Sequence, residues 1–154
     1  MRINIIDQFI ESCKNYKYSG DDISDEKLKD MLVKSLLILI YAEFEKCFNK
    51  LVLDRCPGIT DISILEFIKN NSSIRSLKLS SIRGFIGQFG EKHKNEFNRL
   101  IGENSPCALN FESLRNNRNS VAHGDGSSAT FSEVVQYYQD AHLVLDHFKK
   151  ALWM

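Results

Sequence analysis

The sequence lacks most of the features that mark a specialised protein class. Its longest apolar run, Leu36 to Ala42, is seven residues, far below the roughly 20 that a membrane-spanning helix needs. Its charge cancels: 20 basic and 20 acidic side chains leave a formal net charge of zero, which excludes a coat for nucleic acid held by bulk electrostatics. The four cysteines, Cys13, Cys47, Cys56 and Cys107, contain no C-x-x-C pair and no metal-ligand spacing. Inert thiols in a reducing, cytoplasmic compartment are the expectation. Four histidines form no H-E-x-x-H, and His142 and His147 stand five apart, so no metal is expected. Gly84, Gly87 and Gly90 are spaced in threes and none opens a G-K-[ST] phosphate loop. No cofactor is expected either. The opening MRINIIDQFIE acquires acids within its first turns and reads as neither signal nor transit peptide.

Strand-like alternation is also missing, and only Pro57 and Pro106 interrupt a chain that is otherwise helical in pattern. Ile6, Phe9, Ile10 and Cys13 form a first amphipathic stripe, ended by the turn cluster Tyr18-Ser19-Gly20-Asp21. Ser24 is placed to cap a long second helix that runs without breakers to about Asp54. The middle of that helix, LLILIYAEFEKCF, is apolar nearly all round, which predicts a central buried rod. Further helices are expected over Asp61 to Asn70, over Ser80 to Phe89 with serine as cap, and over Lys92 to Ile101. Asn110 is the expected N-cap of a helix from Phe111 to about Ala122, with Gly124 as its stop. Thr130-Phe-Ser-Glu133 is a capping box. It opens a last helix with one buried stripe at Val134, Tyr138, Ala141, Leu145, Phe148 and Leu152. The class is all-α: a bundle of about five to seven helices, with one long central helix and an amphipathic C-terminal helix.

The segment that carries chemistry is Leu114-Arg-Asn-Asn-Arg-Asn-Ser-Val-Ala-His-Gly124. On a helix Arg118 and His123 are about 7.5 Å apart along the axis and about 140° around it. His123 sits at the helix end, where a long arginine and a terminal histidine could converge on one ligand, particularly across a subunit interface. The pair suits phosphodiester cleavage. Histidine transfers protons near neutral pH, and arginine holds a phosphate in a fixed fork while stabilising the charge that grows on it. Spacing alone leaves a second reading open, a histidine facing the helix dipole and an arginine on a solvated face.

Arg118-Asn119-Ser120-Val121-Ala122-His123-Gly124 resembles the Arg-Asn-x-x-x-His signature of the HEPN superfamily (higher eukaryotes and prokaryotes nucleotide-binding domains), which lies on the helix before the last. Leu39-Ile-Tyr-Ala-Glu-Phe-Glu45-Lys is similar to the apolar-aromatic segment with an embedded acid in its RiboL-PSP-like branch. The resemblance implies one HEPN-like helical domain over residues 1–154. It also implies a metal-independent endoribonuclease that works as a homodimer, with both motifs meeting in one composite cleft on an RNA substrate. Arg118 and His123 would be catalytic, and Asn119 would position the phosphate or the histidine. A toxin or phage-defence role, with an antitoxin or other regulator, is implied as well. Some HEPN toxins carry a tyrosine two positions after the histidine, where a partner enzyme modifies them; here that position is Asp125, which puts such control in doubt. A non-catalytic HEPN-like module that binds nucleotide or RNA, or acts as a scaffold, and a purely structural helical domain are the competing classes.

Four further residues carry two readings each. Glu45 either orients Arg118 or His123, or is a solvated carboxylate near Lys46 and Lys50. Arg115 and Asn116-Asn117, one turn before the motif, either touch the RNA backbone or belong to a plain polar face. Neutrality is itself an average: residues 69–118 hold 9 basic and 4 acidic side chains, a local balance of +5 that runs into Arg118.

Overall fold

Apolar residues at helical spacing along almost the whole chain have to be buried against one another, and helix-on-helix packing results. The computed structural model describes residues 2–15, 25–71, 74, 77–102 and 104–154. Among these there is no strand, and the order is α1 (Asn4–Asn15), α2 (Asp25–Asp54), α3 (Ile62–Asn71), α4 (Leu79–Gly87), α5 (Glu91–Ile101), α6 (Pro106–His123), α7 (Phe131–Ala141) and α8 (Leu143–Leu152). The expected Tyr18–Asp21 turn and Ser24 cap lie outside the described residues. Helix α2 is the axis: α1, α6, α7 and α8 all pack on it. Its 30 residues correspond to about 45 Å.

Phenylalanine dominates the centre. Phe148 meets Phe48 edge-on at 5.0 Å between ring centroids and Phe97 edge-on at 6.1 Å, while Phe44 stacks on Phe111 at 5.7 Å. All five rings are buried, and offset or edge-on pairs of this kind stabilise beyond their area. Every residue of the expected C-terminal stripe is buried. The Tyr138 hydroxyl accepts from the Ile3 backbone N–H at 2.9 Å, which anchors α1 against α7.

Four local expectations are corrected. Helix α6 starts at Pro106, five residues before Phe111, with Ser105 as N-cap accepting from the Ala108 N–H. Proline at the first helical position lacks an N–H that would have no helical partner anyway. Asn110 therefore lies inside α6, where it donates to Asp140 on α7 at 2.7 Å. Ser80 does not cap α4; Lys78 stands at the cap without a side-chain bond, and Glu112 of α6 accepts from the Leu79 N–H at 2.8 Å. The last helix is bent at His142. There both the backbone N–H and the ring Nδ1 of His142 engage the Tyr138 carbonyl, and the Leu145 N–H bonds three residues back to His142. A side chain competing in the hydrogen-bond ladder is a sufficient cause of a bend. Finally, the apolar middle of α2 is not buried all round, since Ile38 is 54% exposed, as is Met31 before it at 62%.

Candidate functional site

Two helix ends set the position of the motif. At its C-terminus α6 closes in a Schellman arrangement: Gly124 is left-handed (φ +88°), its N–H bonds to the Val121 carbonyl, and the Asp125 N–H bonds to the Ser120 carbonyl. This ends α6 immediately after His123, an exposed residue. The following loop is tied back by Asn117, whose Oδ1 accepts from Ser127 Oγ (3.1 Å), Ser128 Oγ (3.1 Å) and the Ala129 N–H (3.2 Å). The capping box then starts α7, with Thr130 N–H donating to Glu133 at 2.7 Å and Glu133 N–H to Thr130 Oγ1 at 3.3 Å.

Arg118 points from α6 to α2. Its guanidinium carbon lies 4.2 Å from the centroid of the Tyr41 ring, and its Nη1 donates to Asn119 Oδ1 at 3.4 Å. Glu45 is four residues beyond Tyr41 and shares its face of α2. Burial raises the pKa of the Glu45 carboxyl above the ordinary glutamate value, and the Arg118 charge nearby opposes that rise without cancelling it. Lys46 and Lys50 turn instead to Glu43 and Asp54, both at 2.6 Å. The cation that Glu45 senses is therefore Arg118.

The Tyr41 hydroxyl accepts from the Leu77 backbone N–H at 3.3 Å. Asn49 does the same for Ile74 at 3.1 Å and Glu112 for Leu79. Side chains of α2 and α6 thus hold backbone N–H groups ahead of and at the start of α4. Glu112 also binds Arg115 at 2.7 Å, and Arg115 donates to Asn116 Oδ1 at 2.8 Å. Arg115 and Asn116 stand together one turn before Arg118.

The structure thus brings Arg118, Asn119, Glu45 and Tyr41 together. His123 is left at the end of α6 with no side-chain bond to Arg118, in keeping with their separation around the helix. Tyr41 and Glu112 were not singled out from the sequence, and Asn117, read there as a backbone contact or plain polar face, instead ties down the loop after α6. The spacing of Tyr41 and Glu45 was the available signal for the first; for Glu112 it was only its place one turn before Arg115. Among the described residues no group of three or more His, Cys, Asp or Glu side chains could hold a metal ion, and no helix is long and apolar enough to cross a membrane.

The RiboL-PSP-HEPN family model matches residues 2–154. The chain belongs to the RiboL-PSP-type HEPN family. No curated protein and no solved structure matches closely enough to be counted a relative. HEPN membership brings the class of ribonuclease or nucleotide-binding module, and in this HEPN chain the guanidinium of Arg118 is held over Tyr41 while His123 stands exposed at the end of the same helix.

Proposed function

We propose that this HEPN chain is a metal-independent endoribonuclease, with Arg118 and His123 as its catalytic residues and Asn119 as a positioning residue. The observation that carries the reading is the way Arg118 is held. Its guanidinium carbon lies over the Tyr41 ring, and its one hydrogen bond among the described residues is the long contact to Asn119. Donors of the guanidinium fork are left for a phosphate, whose oxygens it matches in geometry and charge. In the reaction the RNA 2′-hydroxyl attacks the adjacent phosphorus and the bond to the 5′-oxygen breaks, leaving a 2′,3′-cyclic phosphate. His123 handles the proton, and Arg118 stabilises the charge that develops on the phosphoryl oxygens.

Because Arg118 and His123 diverge on one helix, a homodimer that places two copies of the motif in one cleft supplies the convergence a single α6 lacks. Arg115 and Asn116, adjacent to Arg118, contact the RNA backbone, and Glu45 restrains Arg118 from α2. A toxin or phage-defence effector under the control of an antitoxin or other regulator is the biological setting proposed. The test is RNA cleavage mapping in the presence of EDTA. Wild type produces cyclic phosphate ends, and Arg118→Ala and His123→Ala each lower the rate by about 100-fold or more. Equal cleavage by all three proteins overturns the proposal.

A further inference from the structure

We propose that Tyr41 is a positioning residue of this site, a fixed aromatic platform on α2 that orients the Arg118 guanidinium while leaving its N–H edges available to the scissile phosphate. The inference rests on the ribonuclease reading and adds to it a residue that family membership does not assign.

Tyr41 is fixed at both ends. It sits in the middle of α2, half-buried and packed against the hydrophobic core, and its hydroxyl is held by the Leu77 N–H at 3.3 Å. A ring so restrained has little freedom to turn about its side-chain bonds. Arg118 lies over its face at 4.2 Å. A guanidinium that rests on a π face is attracted through its plane, whereas it binds a phosphate through its edges. A contact made through the ring face therefore restrains the guanidinium without requiring a hydrogen-bond donor. An ion pair acts differently, as Arg115 shows: Glu112 and Asn116 engage its Nε and Nη2 at 2.7 and 2.8 Å, so part of its fork is already used. The two arginines are three residues apart on one helix, and Arg118 is the one held by a ring. Glu45, one turn further along α2, adds an attraction toward the same face without a direct hydrogen bond to Arg118 among the described residues.

Four proteins test this: wild type, Tyr41→Phe, Tyr41→Leu and, as the reference for a dead site, Arg118→Ala. Tyr41→Phe keeps the face and loses only the hydroxyl contact, so its kcat stays within about threefold of wild type. Tyr41→Leu removes the face, and its kcat falls roughly 3- to 30-fold while KM changes less than about twofold. The second readout is independent of catalysis. In protein labelled at arginine, the Arg118 Nε–H resonance of wild type and Tyr41→Phe is displaced by the ring current, and Tyr41→Leu or the free ring-less environment loses that displacement. A Tyr41→Leu enzyme as fast as wild type overturns the inference while leaving the nuclease intact, as does an undisplaced Arg118 resonance in wild type, which needs no folded leucine variant. Loss of activity in Tyr41→Phe equal to that in Arg118→Ala also overturns it, because the face is retained there. Wild type no more active than Arg118→Ala overturns the ribonuclease reading itself, and this inference with it.

Discussion

At the scale of single residues, the site is a set of compromises between burial and charge. Glu45 is an acid on an apolar helix, and its folded-state pKa is raised because desolvation outweighs the attraction of Arg118. The sign of the linked stability follows. A carboxyl that holds its proton more tightly when folded costs stability wherever it is ionised, and that cost vanishes as pH falls through the folded pKa. Glu45→Gln is therefore expected to raise the melting temperature near neutral pH, with the gap to wild type closing under acid, as thermal melts across pH will show. Arg118→Ala removes the opposing attraction, so the Glu45 carboxyl should titrate higher still by NMR. Arg118→Lys keeps a positive charge but not the planar fork, and its cleavage rate should stay near that of Arg118→Ala. Arg118, Asn119 and His123 were legible as residue types in order along the chain. Tyr41 was not, because a stack between residues 41 and 118 exists only once α2 and α6 have packed.

At the scale of elements, signals confined to a single turn were the easiest to read. Gly124 and the Thr130–Glu133 box behave as their local chemistry requires, since both act within a single turn. The start of α6 was misplaced because Asn110 is a good cap in isolation, while Ser105-Pro106 is a better one and Cys107 and Ala108 bury into the core. Ser105→Ala should cost about 1 kcal/mol by denaturant unfolding. Gly124→Ala should cost about as much. Its Cβ would meet nothing within 4 Å, so the penalty is the left-handed backbone rather than crowding. Because His123 is the residue before that turn, Gly124→Ala should also slow RNA cleavage more than Ser105→Ala does, and a reversed order would detach the cap from the site.

At the scale of the whole molecule, the aromatic centre and the proposed cleft make separate demands. Phe148 joins α2, α4 and α5 through Phe48, Phe85 and Phe97. Phe148→Ala is expected to destabilise the fold by about 3–5 kcal/mol in denaturant melts, without touching the site. The proposed sharing of the cleft between two copies has its own test. Arg118→Ala and His123→Ala proteins, each dead alone, should recover part of the cleavage activity when mixed and allowed to exchange subunits; a mixture that stays dead argues for a site complete within one chain. The positive balance of residues 69–118 is partly spent locally, since Glu91, Glu96 and Glu112 pair with Lys94, Arg99 and Arg115. What remains for the proposed RNA contact is narrower than the composition suggested.

The sequence by itself determined the helical class, the buried C-terminal stripe, the turn after His123 and the motif residues, because periodicity, caps and residue type are properties of a few neighbouring positions. Only the tertiary structure decided that Glu45 answers to Arg118 rather than to Lys46 and Lys50, that Glu112 caps α4 from another helix, that α2 leaves Met31 and Ile38 uncovered, and that Tyr41 lies beneath Arg118. Each of those depends on which faces of distant helices meet, and packing geometry is a property of the assembled bundle rather than of any one segment.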